Sequence, residues 1–121
     1  MTEAELELEN KEIDKRFQSL LRIMKDRVDE NDKKLIRKAF DLARDAHAEV
    51  RRKSGEPYIL HPLEVATIVA REIGLGPVSV SAALIHDVVE DSEYTLEDID
   101  RLFGDEIARI IDGLTKISGV F

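Results

Sequence analysis

Ala82-Ala83-Leu84-Ile85-His86-Asp87-Val88-Val89-Glu90-Asp91 sets one imidazole and three carboxylates in an otherwise apolar run. Burying such groups costs several kcal/mol unless a metal or a partner compensates. On a helix His86 lies one turn before Glu90, Asp87 lies one turn before Asp91, and Asp87 and Glu90 are three apart. The four therefore cluster on neighbouring rows of one side. Val80, Ala83, Leu84, Val88 and Val89 fill the rows around them, which turns part of the cluster inward. Imidazole with carboxylate suits manganese, iron, nickel or zinc better than calcium. The plainer reading makes His86 a satisfied core histidine and the acids an exposed helix end. Against it stands a second histidine directly before a proline, in Tyr58-Ile59-Leu60-His61-Pro62.

Working outward, every segment reads as helix. Ile13, Phe17, Leu20, Leu21, Met24 and Val28 recur at helical spacing, and Glu5-Leu6-Glu7-Leu8-Glu9 extends that helix as an exposed start. Asp29-Glu30-Asn31-Asp32 supplies a break and a cap. Leu35, Ile36, Ala39, Phe40, Ala43, Ala46, His47 and Val50 form the face of a second helix, with His47 read as a core histidine. Gly55 and Pro57 mark a turn, and Pro62 suits the first position of a third helix ending at Gly74-Leu75-Gly76. Pro77 opens a fourth, expected to run through His86-Asp87 to about Asp91. Thr95 with Asp98 predicts a capping box for a fifth helix closed by Gly104. Ile107, Ile110, Ile111 and Leu114 stripe a sixth. The fold class is all-α.

At 121 residues and 43% hydrophobic the chain suffices for one core. It has no cysteine, which excludes disulfides and Cys-based zinc sites. The start Met-Thr-Glu-Ala-Glu-Leu-Glu is acidic where a secretory signal is basic. No apolar run approaches the roughly 20 residues of a membrane helix. A soluble, cytoplasmic protein with no membrane partner is expected. The net charge of −8 disfavours nucleic acid as a partner. Arg51-Arg52-Lys53 is the one compact basic cluster, either a solvated helix end offsetting the dipole or a contact for a phosphorylated small molecule.

Arg52-Lys53-Ser54-Gly55-Glu56-Pro57-Tyr58-Ile59-Leu60-His61-Pro62, His86-Asp87-Val88-Val89-Glu90-Asp91, Phe103-Gly104 and Asp112-Gly113-Leu114-Thr115-Lys116 together resemble the N-terminal hydrolase domain of RelA/SpoT homologues. These enzymes make and destroy the alarmone (p)ppGpp. The resemblance spans residues 35–118. It implies an HD-domain helical bundle of about six helices over residues 31–121, preceded by an acidic amphipathic helix over 1–30. It further implies one manganese ion, with His61, His86 and Asp87 as metal ligands and Glu90 and Asp91 as the acidic pair acting on water. Arg52, Lys53 and Ser54 match the segment that packs on the guanosine. The implied reaction removes the 3′-diphosphate of (p)ppGpp and releases pyrophosphate with GDP or GTP. Members that only synthesise the alarmone have lost the His-Asp dyad; here it is intact.

The departures also carry expectations. The family's fourth metal ligand, an Asp in a motif like Ala-Asp-Arg-Leu-His-Asn, does not occur in these 121 residues, nor does the synthetase domain of bifunctional members. Val50 stands where the family usually has Gln. A truncated domain, incomplete at its C-terminus, is expected to bind metal weakly, hydrolyse negligibly alone, and self-associate through the stripe Ile107, Ile110, Ile111 and Leu114. Two alternatives compete: an inactive regulatory or association module, and another HD-type nucleotide phosphohydrolase. The Arg52–Tyr58 run argues against the latter.

Overall fold

The Thr2 hydroxyl accepts from the Glu5 N–H at 3.1 Å while the Glu5 carboxylate accepts from the Thr2 N–H. This capping box opens α1, Glu3–Met24. Asp29 and Asp32 cap α2, Glu30–Ala46, in the same reciprocal way. The computed structural model describes residues 1–118, with side chains described to Lys116. It continues with α3 (Leu60–Ile68), which runs into a π-helical turn (Val69–Ile73), then α4 (Pro77–Ile85), α5 (Val88–Asp91), α6 (Leu96–Phe103) and α7 (Asp105–Ser118). Among the described residues the expected helical bundle is present, as six α-helical stretches with the fourth broken in two and a 3₁₀ turn (Lys25–Arg27) after α1. Among the described residues an isolated Arg51–Pro57 bridge is the only extended pairing. No described helix is long and apolar enough to cross a membrane.

α4 is the hub. Val80 to Ile85 are all buried, and a helix buried on every side must be surrounded. α2, α3 and α7 pack around it. α1 closes the bundle with Ile13, Phe17, Leu20 and Met24, all in the one core. Phe17 and Phe40 stack at 4.1 Å and 7° between α1 and α2. Leu6 and Leu8 are exposed, as the reading of an exposed helical start requires.

Four details differ from the sequence reading. The second helix stops at Ala46, not near Val50: the His47 N–H caps onto Ala43 O, and Val50 leaves the apolar face to accept from the Tyr58 N–H at 3.0 Å. α3 starts at Leu60, so Pro62 is its third residue, where a missing N–H is equally harmless. The fourth helix does not run through the dyad, because Asp87 adopts φ −109° and ψ 3°. The Asp91 N–H to Asp87 O bond, at 3.0 Å, opens α5. Lastly, Ile107 and Ile111 are fully committed to the core, which leaves Ile110 and Leu114 of the expected association stripe.

Candidate metal centre

The first turn of α3 and the break after α4 meet. The rings of His61 and His86 lie 6.0 Å apart, edge to face. One donor atom from each of His61, His86 and Asp87 falls within 4.8 Å of the others. The His86 Nδ1 is 2.7 Å from Ala83 O. A carbonyl can only accept, so Nδ1 carries the proton and Nε2 keeps its lone pair for a ligand. Such a backbone contact is the usual way a ligating imidazole is oriented.

Asp87 is 7% exposed, and the local break turns its carboxylate into the protein. The Tyr58 hydroxyl donates to Oδ2. His47 Nε2 stands 3.3 Å from Oδ1. Burial by itself would raise this carboxyl's pKa. His47 and Tyr58, which favour the charged form, outweigh it and hold the group down at about 2. Tyr58 is pushed well above its usual range, by burial first and then by Asp87. The rings continue as a row, His47 to Tyr58 at 4.5 Å and Tyr58 to His61 at 5.8 Å. Asp87 is thus an ionised carboxylate in a buried place, and Oδ1 has no hydrogen bond of acceptable geometry. Two imidazoles and an anionic oxygen around one point fit a divalent transition-metal ion.

Glu90 and Asp91 lie exposed on α5 at the rim of this cluster. An Asp91 oxygen comes within 4.8 Å of donor atoms of His47 and Asp87. Arg52, Lys53 and Ser54 sit on the loop between α2 and α3. That loop is cross-tied: the Arg52 N–H donates to Glu56 O at 2.9 Å, and the Gly55 N–H to Arg52 O at 2.8 Å. Gly55 takes φ +100°, a conformation other residues avoid. Ser54, then Arg52, hold the Glu56 carboxyl below its usual range. Arg51 donates to Gly55 O at 2.7 Å and clasps Glu9 of α1 through both guanidinium nitrogens, at 2.7 and 2.9 Å. The loop and Asp91 line one open cleft of about 610 Å³, with Val50 and Tyr58 beside them. The structure brings half-buried His61 and His86 together with buried Asp87, and sets Arg52, Lys53, Ser54 and Asp91 on the open cleft next to them, while Glu90 is exposed on α5 and lines neither.

His47 is buried, as expected of a core histidine, at 2% exposure. Its contact with Asp87 is not something the sequence signalled. Tyr58 is likewise unremarked there except as part of a longer run. A hint existed for both: each is a polar side chain set among apolar neighbours with no local partner.

A family model described as HD domain matches residues 39–120. The GTP pyrophosphokinase of Streptomyces coelicolor is 43% identical over 107 residues, which are 86% of this chain and 12% of that protein. The guanosine-3′,5′-bis(diphosphate) 3′-pyrophosphohydrolase of Aquifex aeolicus is 44% identical over 85 residues, 70% of this chain and 12% of its own. The bifunctional (p)ppGpp synthase/hydrolase SpoT of Escherichia coli K12 is 43% identical over 101 residues, 84% of this chain and 14% of its own. The chain thus spans about an eighth of the length of these relatives.

Proposed function

This chain belongs to the HD-domain family, among its RelA/SpoT homologues, and from that premise we propose that it carries the metal half-site of a manganese-dependent (p)ppGpp 3′-pyrophosphohydrolase. The observation that carries the reading is the convergence of His61, His86 and Asp87 donor atoms within 4.8 Å, beside a basic loop. In this reading those three residues hold Mn²⁺. When bound, the ion supplies Lewis acidity, making water more acidic and offsetting charge on the leaving diphosphate. Glu90 takes the proton of the attacking water and Asp91 orients that water. Arg52, Lys53 and Ser54 pack on the guanosine and its phosphates across the open cleft. The products are pyrophosphate and GDP or GTP. Synthesis of the alarmone, where a whole protein performs it, lies outside these residues. The protein works in the cytoplasm and takes a guanine nucleotide, not nucleic acid, as its partner.

Hydrolysis belongs to the whole protein. The test is release of pyrophosphate from ppGpp by the whole protein with Mn²⁺, with and without Asp87→Asn. Loss of release on substitution supports the reading; equal rates defeat it.

A second reading, self-association, is favoured by one observation. Val65, Val69, Leu75, Ala82, Ala83, Ile110 and Leu114, with Ser79 and His86, line a mostly apolar cleft of about 340 Å³ beside α3, α4 and α7. We propose that copies of this chain meet there. Sedimentation showing a clean monomer at high concentration defeats it.

A further inference from the structure

Asp87 sits at a break between two helices, where its own backbone gives it little support. Its two carboxylate oxygens are approached from different residues: the Tyr58 hydroxyl donates to Oδ2, and His47 Nε2 stands 3.3 Å from Oδ1. One hydrogen bond and one close approach on opposite oxygens bear on the carboxylate's plane as well as its place. Both partners are themselves held. The His47 N–H caps α2 on Ala43 O at 3.1 Å, and the Tyr58 N–H reaches Val50 O at 3.0 Å. Their rings pack on each other at 4.5 Å. The His47 side chain is wholly buried, and neither ring nitrogen has a hydrogen bond of acceptable geometry. A buried imidazole in that condition is costly, and a phenyl ring would fill the space without the cost. The cost makes sense if the nitrogens act on Asp87.

We propose that His47 and Tyr58 are positioning residues that clamp the Asp87 carboxylate by its two oxygens, fixing its orientation toward a cation shared with His61 and His86. The proposal rests on the metal reading above. It extends that reading to two residues outside the three ligands it names.

The experiment measures Mn²⁺ affinity of the 121-residue chain by competition with a metallochromic chelator. Tyr58→Phe removes one oxygen and keeps the ring; His47→Phe removes both nitrogens; His47→Gln restores a donor. Loss of an outer partner of a ligand typically costs 10- to 100-fold in metal affinity. A weakening of about that size is expected for Tyr58→Phe and His47→Phe, with His47→Gln recovering most of it and the helical circular dichroism unchanged. A metal-free arm combines Tyr58→Phe with Asp87→Asn and reads thermal midpoints. The clamp predicts that the two shifts are not additive. Wild-type affinity in Tyr58→Phe, or additive midpoint shifts, overturns the clamp. His47→Gln binding as poorly as His47→Phe overturns the part assigned to His47. Equal Mn²⁺ binding by the wild type and Asp87→Asn defeats the metal reading instead, and the metal-free arm still judges the Tyr58–Asp87 contact.

Discussion

Phe17→Ala tests whether α1 belongs to the domain that holds the metal centre or merely precedes it. Phe17 is 1% exposed, stacked on Phe40 at 4.1 Å, and covered by the Arg37 guanidinium 4.9 Å from the ring centroid. Truncating a buried Phe costs about 3–5 kcal/mol. Losing a stacked aromatic partner adds about 0.5–1.5 kcal/mol beyond the buried area. The expected loss is therefore about 3.5–6.5 kcal/mol, drawn from a total of about 6–18 kcal/mol for a chain of this size. With a urea slope of about 2 kcal/mol/M the midpoint should fall by about 2–3 M. Urea titration followed by circular dichroism reads the shift, and Tyr58 and Tyr94 fluorescence reports whether the far side of the bundle unfolds with it. A shift below about 1 kcal/mol, or fluorescence that lags the dichroism, would refute the reasoning and make residues 1–30 a separate unit.

Glu90→Gln in the whole protein should leave Mn²⁺ binding intact and slow ppGpp hydrolysis by about 10²–10⁴-fold, as loss of a general base does; unchanged turnover would remove Glu90 from the mechanism. Gly55→Ala should cost about 1–2 kcal/mol, because φ is +100° and an added Cβ meets nothing within 4 Å, so the whole penalty is backbone strain. A thermal midpoint equal to the wild type would show that the loop takes another turn. Acid should weaken the fold. The Thr95 backbone holds the Asp98 carboxyl, and the Arg51 guanidinium the Glu9 carboxyl, below their ordinary 3.8 and 4.5. The unfolded chain then binds more protons, so this stabilisation is complete above the ordinary values and is lost as pH falls through the folded ones. Thermal midpoints that rise as pH drops from about 5 to 3 would contradict the sign.

Much of this fold was legible because its signals are local. The 3.6-residue recurrence of Ile13, Phe17, Leu20 and Met24, the Thr95–Asp98 capping box and Gly104 each act within a turn or two of chain. The illegible parts depend on partners far along the sequence. The apolar end of α4, Ala82-Ala83-Leu84-Ile85, gives no local reason to stop there; the break at Asp87 accompanies contacts with Tyr58 and His47, 29 and 40 residues earlier. Val50 looks like the next rung of an apolar face until a backbone bond from Tyr58 draws it into the loop. The eight site residues were found by type and by resemblance. That a buried histidine and a tyrosine stand behind Asp87 is visible only in three dimensions.

The loop carrying Arg52, Lys53 and Ser54 is closed by its own backbone bonds and strapped to α1 through Arg51 and Glu9. Its conformational entropy is therefore surrendered when the chain folds and is not charged again when a ligand arrives. Under the proposed function, a nucleotide docking there would meet a loop already tied by its own backbone bonds, and would order mainly side-chain tips. Association at this cleft should proceed in one step, with a rate set by diffusion and by screening of the positive charge, falling as ionic strength rises.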